Sequence, residues 1–478
     1  MMKRTKIICT LGPACTNEPA MREMLLSGMN VARFNLSHGD YEEHKNRMDM
    51  FRKVRDELDI PAALLLDTKG PEIRLRDFKN KSVVLEKGQE FTFTSEEILG
   101  DETIVSVTYK DLPKDVEDGC RILIDDGKVT LKVISHTDKE IKCKVTHGGK
   151  ISNHKGVNVP SVHLNMPYLS EVDKSDLLFG IAQDVDYVAA SFVRNKQDIT
   201  SIRNFLDING GSAIKIIAKI ENQEGIDNFE DIVRIADGIM VARGDMGVEV
   251  DFEKLPGIQK KFITRCRKDG KIVVTATQML ESMVNNPSPT RAEISDVANA
   301  VFDGTSAIML SGETANGNYP VETVKTMAKI AMRAEQDAFE MGVYERNMPA
   351  VTEYDATQAI SYATCTTAKN INARAIIPVT QIGTTARRIA KFRPIVPIVA
   401  ATPTPKAYHQ LALVWGVHPV LCQLQTTTDH LFSHAIFCAK ARGYIDEGDK
   451  VVLTAGVPLG VSGGTNTLKI NVVPKNER

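Results

Sequence analysis

The apolar and polar positions of the first 70 residues alternate between two periods. Short apolar runs at Thr5–Cys9, Asn30–Asn35 and Ala62–Asp67 predict strands. Between them, the helical spacing of apolar positions over Pro19–Leu26 and Tyr41–Leu58 predicts helices. Strands separated by helices are typical of a parallel sheet that is covered by helices.

The pattern changes at Gly70-Pro71 and stays different to about Pro167. Apolar positions there follow a period of two, in short runs separated by turn residues such as Lys87-Gly88. The predicted strands are Ser82–Leu85, Phe91–Thr94, Arg121–Ile124, Val129–Ile134 and Ile141–Val145. Residues 71–167 are therefore expected to form a small β-barrel domain, here called the lid, inserted into an α/β domain.

The alternation of strands and helices resumes after Pro167. Five further strands are predicted at Asp186–Ala190, Ile214–Lys219, Ile239–Arg243, Ile272–Ala276 and Ala307–Leu310. With the three N-terminal strands they make eight strand–helix units, the number found in a closed (β/α)8 barrel. Residues 1–70 and 168–340 are expected to form this barrel.

A third α/β region, residues 345–478, is expected to be a separate domain, here called the C-terminal domain. Its predicted strands are Ala375–Pro378, Ile395–Ala400, His418–Leu421, Lys450–Thr454 and Thr467–Val473.

Composition limits the class of partner and the compartment. The 478 residues include 59 Lys and Arg against 61 Asp and Glu, a net charge of −2 that disfavours nucleic-acid binding. No apolar run approaches the ~18 residues that span a bilayer, and the apolar run after the basic N-terminus is too short for a signal peptide. Eight cysteines without a Cys-x-x-Cys pair are typical of reduced thiols, so a cytoplasmic protein is expected.

The candidate chemistry lies where the predicted barrel strands end, which is the active-site face of such barrels. Glu221 and Asp245 are hard oxygen donors suited to Mg2+ or Mn2+. Lys219 and Arg33 would neutralise charge on a transferring phosphoryl group. A cage of oxygens for a monovalent cation is available from Asn35, Ser37, Asp67 and Thr68.

Each of these residues also has a purely structural interpretation. Lys219 and Glu221 point the same way on one strand and would form a salt bridge, and Arg33 would likewise pair with Asp67. Thr277 offers a hydroxyl for a proton relay but would equally be a satisfied loop hydroxyl. The coincidence of all these groups at one barrel face favours phosphoryl transfer.

Several long motifs, in order along the chain, resemble the pyruvate kinase family. The most specific is Ile214–Gly225, IKIIAKIENQEG, which is similar to the family's active-site pattern. The others are Asn35–Gly39, Leu66–Arg74, Ala242–Glu249, Ala276–Met283 and Met309–Ala315. The resemblance covers essentially the whole chain. It implies a homotetramer in which phosphoenolpyruvate and ADP react to give pyruvate and ATP, the final step of glycolysis.

The resemblance also implies roles for individual residues. The matched catalytic positions are Lys219, Thr277 and Arg33, with Lys219 stabilising the transition state. The substrate-contacting positions are Arg33, Lys219, Gly244, Asp245, Thr277 and Ser191. Glu221 and Asp245 match the divalent-metal ligands, and Asn35, Ser37, Asp67 and Thr68 match the potassium ligands. The nucleotide positions are Asn35, Leu36, Ser37, His38, Arg74 and, from the lid, Lys155.

The C-terminal domain resembles the family's regulatory domain. Thr380, Gly383, Thr384 and Thr385 match its effector phosphate loop, placed before a helix predicted over Thr385–Phe392. Ile382 stands where many members have a small or polar residue. A second loop, Gly456–Thr465, would close over the same phosphorylated effector. The chain ends at Arg478, so the extra C-terminal domain of some bacterial relatives is expected to be missing.

Glu102, just before Thr103-Ile104-Val105, resembles the acidic position of potassium-dependent family members. It predicts activation by K+.

Two other functions fit part of the sequence. A Mg2+-dependent lyase acting on phosphoenolpyruvate or pyruvate would explain Glu221 and Asp245, but not the lid, the cation cage or Lys219. A metabolite-binding protein on an inactive kinase scaffold would not need the catalytic residue types that are present.

Overall fold

The first strand–helix units form where the apolar pattern predicts them. The computed structural model describes residues 2–351, 355–459 and 464–475. It contains buried strands β1 (Lys6–Thr10), β2 (Val31–Asn35) and β3 (Ala63–Asp67), with helices α1 (Glu18–Leu26) and α2 (Tyr41–Glu57) between them. The side chains of Asn17 and Asp40 accept backbone N–H groups at the starts of the two helices, which fixes where each begins.

The lid is all-β, as expected. Its strands are β4 (Ile73–Arg74), β5 (Ser82–Leu85), β6 (Glu90–Thr94), β7 (Ile104–Ser106), β8 (Arg121–Ile124), β9 (Val129–His136), β10 (Glu140–His147), β11 (Gly149–Ser152) and β12 (Gly156–Asn158), with one short helix, α3 (Leu112–Asp115). The described strands pair as a seven-stranded sheet, β4-β12-β8-β9-β10-β6-β7, and a two-stranded sheet, β11-β5. Their pairing does not close into the β-barrel that the sequence predicts for this domain. The sequence pattern missed β4, β7, β11 and β12 because strands of two to four residues carry too little periodicity.

The second part of the barrel supplies its other five strands. These are β13 (Tyr187–Ala190), β14 (Lys215–Ile220), β15 (Gly238–Ala242), β16 (Ile272–Ala276) and β17 (Ala307–Leu310). The helices are α4 (Glu171–Ala182), α5 (Lys196–Ile208), α6 (Gln223–Asp227), α7 (Phe229–Ile235), α8 (Arg243–Glu249), α9 (Leu255–Asp269), α10 (Arg291–Asp303), α11 (Gly312–Ala315), α12 (Pro320–Glu340) and α13 (Val343–Arg346). The eight strands pair in parallel around a closed ring, β1-β17-β16-β15-β14-β13-β3-β2, which confirms the predicted (β/α)8 barrel.

The C-terminal domain is an α/β layer structure. Its helices are α14 (Ala356–Asn370), α15 (Thr384–Ala390), α16 (Pro405–Gln410) and α17 (Thr428–Ala441). Its strands are β18 (Ala375–Pro378), β19 (Ile398–Thr402), β20 (Val417–Leu421), β21 (Lys450–Ala455) and β22 (Thr467–Val472), paired in the order β20-β19-β18-β21-β22 with β22 antiparallel. The helix predicted over Thr385–Phe392 corresponds to α15, which ends two residues earlier, at Ala390. Strand β19 begins three residues later than predicted, at Ile398.

The C-terminal domain packs against the amino-terminal face of the barrel. One apolar core joins barrel residues such as Ile8 and Leu65 to Ala386 and Leu411 of the C-terminal domain. Around this core, Tyr187 Oη donates to the Gln410 carbonyl at 2.6 Å. The opposite face, where the barrel strands end, is left to the lid and the candidate site.

No helix in the described parts of the chain combines the length and the apolarity needed to cross a membrane.

Candidate functional site

A network of buried side chains occupies the carboxyl ends of β2, β3, β13 and β14. Arg33 Nε donates to Asp67 Oδ2 at 2.6 Å, and Lys219 Nζ donates to Asp67 Oδ1 at 3.1 Å. Lys219 Nζ also donates to Ser191 Oγ at 2.7 Å, and that hydroxyl donates to the Thr68 carbonyl at 2.7 Å. The barrel thus brings together residues from four separate stretches of sequence, as predicted.

The charges in this network stabilise one another. Burial by itself would raise the pKa of the Asp67 carboxyl, but Arg33 and Lys219 outweigh burial and hold it below its usual range. Burial likewise opposes the charge of Lys219, but Asp67 and Glu221 raise the pKa of its ammonium above its usual range. Asp67 and Lys219 are therefore both ionised near neutral pH. The ion pairs of Arg33 with Asp67 and of Lys219 with Glu221, expected from the sequence, both lie within the site itself.

Glu221 and Asp245 form a pair of mutually repelling carboxylates. Glu221 Oε1 lies 3.0 Å from Lys219 Nζ, and its Oε2 accepts the Phe192 N–H at 2.6 Å. Burial raises the pKa of Glu221 to about 7. Lys219 opposes this shift, and repulsion from Asp245 adds to it. Asp245, in the first turn of α8, lines a cavity of about 400 Å³ beneath the lid. Oxygen donors that repel one another suit a divalent cation.

Protein ligands beyond this pair are few. Within the described ranges, no three His, Cys, Asp or Glu side chains are grouped so as to hold a metal ion. The remaining ligands of such a cation would come from substrate and water, as is usual for Mg2+.

Thr277 is held in an unusual conformation beside Gly244. Its φ of 68° is a strained value for a β-branched residue, and its Oγ1 accepts the Gly244 N–H at 2.8 Å. Arg243 fixes this turn, since its Nη2 donates to the Thr277 carbonyl at 2.7 Å while its Nη1 donates to Asp296 at 2.7 Å. The sequence did not identify Arg243 as a support for Thr277.

The oxygens of the predicted monovalent-cation cage lie at the ends of two neighbouring strands. Asn35 is paired in register with Asp67. Asn35 Oδ1 accepts the Ser37 N–H at 3.1 Å, and Thr68 follows Asp67 directly. The fold therefore places the ends of these two strands side by side, and their use as a cation cage stays a prediction.

Glu102 is not part of this region. It is exposed in a lid turn, where its carbonyl accepts a hydrogen bond from the Gln89 side chain. The assignment of Glu102 as the acidic residue of the cation site is therefore wrong. Glu72, two residues after Gly70, instead lines the cavity under the lid. Burial raises the pKa of its carboxyl, Arg74 opposes that effect, and repulsion from Asp245 adds to it.

The predicted nucleotide residues form two groups. One group lies at the end of β2 and in the turn after it: Asn35, Leu36, Ser37 and His38. The other, Arg74 and Lys155, lies on the lid. Arg74 pairs with Glu72 at 2.7 Å and Lys155 with Asp125 at 2.8 Å. No hydrogen bond or ion pair joins the two groups in the described structure, and neither group lines the 400 Å³ cavity.

Both segments that attach the lid contact Ser191. Tyr168 Oη donates to the Ser191 carbonyl at 2.8 Å, and a Cβ on Gly70, whose φ is +71°, would meet that same carbonyl at 2.7 Å. Ser191 Oγ also accepts from Lys219, so one residue contacts both lid attachments and the Lys219 network. The sequence carried no signal for Tyr168, whose role depends on contacts made only in the fold.

Comparison with known proteins decides the family. The sequence matches the family "Pyruvate kinase, barrel domain" over residues 2–324 and "Pyruvate kinase, alpha/beta domain" over residues 358–471. It is 50% identical to a pyruvate kinase of Clostridium acetobutylicum over 474 residues, covering 99% of this chain and 100% of that protein. The chain belongs to the pyruvate kinase family. It is therefore a phosphotransferase with the family's barrel and C-terminal domain.

Two further pyruvate kinases extend the comparison. One from Clostridium perfringens is 46% identical and is covered over its whole length, with 99% of this chain aligned. One from Staphylococcus haemolyticus is 49% identical over 99% of this chain, which spans 81% of that longer protein. Membership of the pyruvate kinase family confirms the resemblance drawn from the sequence motifs.

Proposed function

We propose that this member of the pyruvate kinase family transfers the phosphoryl group of phosphoenolpyruvate to ADP, giving pyruvate and ATP in the last step of glycolysis. The observation that carries the proposal is the position of Lys219. Its ammonium is held by Asp67, Ser191 and Glu221 at the barrel face on which the lid cavity opens. A fixed, desolvated cation of this kind stabilises charge that develops in a phosphoryl-transfer transition state.

The residues of the site have separate roles in the proposed reaction. Arg33 and Lys219 bind the phosphoryl group as the bond between phosphorus and the enol oxygen breaks and a β-phosphate oxygen of ADP attacks. The Gly244 N–H and the Thr277 hydroxyl lie together where the carboxylate end of the substrate would bind. The enolate of pyruvate that remains is then protonated at carbon, with the Thr277 hydroxyl as part of the proton path.

Two cations complete the proposed site. Glu221 and Asp245 would hold Mg2+ or Mn2+, and Asn35, Ser37, Asp67 and Thr68 would hold K+. When bound, these cations neutralise phosphate and enolate charge. Asn35, Leu36, Ser37 and His38 on the barrel, with Arg74 and Lys155 on the lid, would bind the nucleotide as the lid closes.

The reaction itself is the first test. Pyruvate should form from phosphoenolpyruvate only when ADP and Mg2+ are both present, with ATP appearing in equal amount. Removal of Mg2+ with EDTA should abolish the rate and re-addition should restore it. Consumption of phosphoenolpyruvate without ADP would favour a lyase instead, and binding without turnover would favour an inactive scaffold.

Activation by K+ is a further expected result, and it rests on the proposed cage of oxygens and not on Glu102. At equal ionic strength, KCl should give a much higher rate than NaCl or a bulky ammonium salt, because the cage supplies oxygens rather than a fixed positive charge. Thr68→Val should weaken this activation, whereas Thr16→Val, at an exposed hydroxyl that donates to the Pro13 carbonyl, should not. Equal rates of the unmodified enzyme in all three salts would contradict the cage.

We also propose that the C-terminal domain binds a phosphorylated effector, a sugar phosphate or a nucleoside monophosphate. A cavity of about 590 Å³ is lined by Thr380, Thr384 and Thr385 together with Arg388, a cation that the sequence analysis did not single out. Gly383 has a φ of +82° and its N–H donates to Thr380 Oγ1 at 3.1 Å. Thr385 Oγ1 lies 2.8 Å from Thr465 Oγ1 of the second loop. Within that loop, Gly460-Val461-Ser462-Gly463 lies outside the described residues.

Substitution of the two loop threonines tests this site. The effector should raise the apparent affinity for phosphoenolpyruvate, and Thr384→Glu combined with Thr385→Glu should abolish that effect through like-charge repulsion. The maximal rate at saturating substrate should stay close to that of the unmodified enzyme. Thr366→Glu, at an exposed position of α14, is the matched control. Activation that survives the double substitution, or no activation by any ligand of these two classes, would exclude the site.

The compartment and assembly complete the proposal. All eight cysteines are free thiols, which supports a reducing, cytoplasmic location. The homotetramer expected from the family is a prediction that light scattering would test.

A further inference from the structure

Helix α2 begins beside the turn that carries most of the proposed nucleotide residues of the barrel. This turn, Leu36–Gly39, follows β2 directly. Four buried side chains follow helical spacing along α2 and form the stripe that faces the barrel: His44, Met48, Phe51 and Val54. The last three are apolar. A histidine therefore takes the place in the apolar stripe that is nearest to the turn.

This histidine donates a hydrogen bond to the turn. His44 Nε2 lies 2.7 Å from the His38 carbonyl oxygen. Because a carbonyl oxygen only accepts, Nε2 carries the proton and Nδ1 does not. Nδ1 is buried and has no hydrogen-bond partner among the described residues. Burial lowers the pKa of His44 below its usual value, so the ring is neutral at neutral pH.

The histidine costs stability that an apolar side chain at the same place would not. It is 2% exposed, and a buried acceptor without a donor loses the hydrogen bond that it makes to water in the unfolded chain. Its ring packs edge-on against Phe34, with the ring centroids 6.3 Å apart, a contact that a phenylalanine could also make. The feature that an apolar side chain lacks is the N–H that the His38 carbonyl accepts.

The turn is held at both of its ends. At its start, the Leu36 N–H donates to the Asp67 carbonyl at 3.1 Å, which ties the turn to β3. At its end, the bond from His44 to the His38 carbonyl ties it to α2. Ser37 lies between these two points. Loss of the second bond would leave Ser37 and His38 held only from the side of β3.

Gly39 brings the end of the turn close to α2. Its φ of +79° is in the left-handed region that favours glycine. A Cβ at this position would meet Glu43 Oε2 at 2.8 Å and His44 Nε2 at 3.5 Å. The backbone of the turn therefore lies directly against the first turn of α2, which is why the His44 ring reaches the carbonyl.

We propose that His44 is a positioning residue for the binding of the nucleoside diphosphate. By holding the His38 carbonyl, it fixes the backbone of Ser37 and His38 in the conformation in which these residues bind ADP. The inference rests on the proposed function, which places ADP at this turn. It adds a residue that lies in α2 and contacts the turn from behind.

The residues proposed to bind phosphoenolpyruvate are held by other contacts. Arg33 Nε and Lys219 Nζ both donate to Asp67, at 2.6 and 3.1 Å. Thr277 is fixed by Arg243, whose Nη2 donates to its carbonyl at 2.7 Å. Loss of the His44 bond should therefore weaken the binding of ADP and spare the binding of phosphoenolpyruvate. A general loosening of the barrel would affect both substrates.

Steady-state kinetics of His44→Phe tests this selectivity. The KM for ADP should rise about tenfold, while the KM for phosphoenolpyruvate should change by less than about twofold. His44→Gln should restore the KM for ADP to within about threefold of the unmodified value, because the glutamine amide places an N–H donor where the His44 Nε2 proton lies. Rescue by glutamine separates the hydrogen bond from the shape of the side chain.

Equilibrium dialysis with labelled ADP measures the same effect without turnover. In buffer containing Mg2+ and no phosphoenolpyruvate, the Kd for ADP should be about tenfold higher for His44→Phe than for the unmodified protein. Gly39→Ala strains the same turn and leaves His44 in place, so it should also raise this Kd. It provides the test if His44→Phe does not fold.

Met48→Ala is the matched control. Met48 is the next residue of the same buried stripe and is 0% exposed, so its truncation loosens the packing of α2 without removing the bond to the turn. Thermal unfolding should show a lower Tm for this variant. Its Kd for ADP should equal that of the unmodified protein.

Three results would overturn the role of His44. The first is an unchanged Kd for ADP in a folded His44→Phe protein, or in Gly39→Ala. The second is an equal rise in the KM of both substrates, and the third is a rise in the Kd of Met48→Ala as large as that of His44→Phe. In each case the proposed reaction would still stand. If the unmodified protein binds no ADP, the proposed nucleotide site fails together with this inference.

Discussion

Lys219→Met is expected to lower kcat by about 10³-fold or more, while the KM for phosphoenolpyruvate changes by less than about tenfold. The ammonium is desolvated and held by three oxygen-bearing side chains, Asp67, Ser191 and Glu221. In the proposed reaction its charge would therefore act on the transferring phosphoryl group with little screening by water. Binding of the ground state is less affected because Arg33 remains in place. Steady-state kinetics, with pyruvate and ATP measured separately, gives both parameters.

Lys215→Met is the matched control for this substitution. Lys215 lies on the same strand, β14, but pairs with Asp237 at the opposite end of the barrel. It should keep near-normal turnover. Thermal unfolding of both variants is needed as well, because loss of Lys219 leaves two buried carboxylates with one fewer partner. A folded Lys219→Met protein with near-normal kcat would remove Lys219 from the reaction.

Asp67→Asn is expected to reduce both stability and activity. Asp67 holds Arg33 at 2.6 Å and Lys219 at 3.1 Å, and it is 1% exposed, so the neutral amide leaves two buried cations undercompensated. Breaking a buried pair in this way typically costs about 3–5 kcal/mol of unfolding free energy. The same change would misplace both cations that we propose bind the phosphoryl group, so kcat should fall by about 10²-fold or more.

The pH dependence of stability tests whether the charge of Asp67 is the cause of this loss. The pKa of Asp67 is lower in the folded protein than in the unfolded chain, so its contribution is fully present above a pH of about 4 and is lost as the pH falls further. The difference in unfolding free energy between the unmodified and Asp67→Asn proteins should therefore shrink on acidification below that pH. Asp49→Asn, in an exposed pair with Lys45, should cost less than about 1 kcal/mol at any pH. A difference that persists unchanged below pH 3 would contradict the role of the Asp67 charge.

The parts of this structure that the sequence predicted are those with strong local signals. The eight barrel strands are buried runs of four to six residues, and each gave a recognisable apolar pattern. Because the carboxyl ends of parallel barrel strands meet at one face, Arg33, Asp67 and Lys219 could be grouped before any contact was known.

The parts that it did not predict depend on long-range packing. The Tyr168 hydroxyl reaches Ser191 across the lid attachment, and Arg388 lines the C-terminal cavity only because α15 packs with that side inward. The positions of Glu102 and Glu72 likewise could not be predicted from the sequence. Both are lid carboxylates in sequence, and only the fold shows which of them lies at the cavity.

The apolar core that runs from the inside of the barrel into the C-terminal domain makes the two parts interdependent. Ile8, Leu65 and Val274 of the barrel share it with Ile389, Leu411 and Val414. A chain cut near residue 345 would therefore expose the apolar interior of the barrel to water at its amino-terminal face. The separated fragments would then be prone to aggregate. The barrel and the C-terminal domain are therefore expected to unfold together in a single cooperative transition.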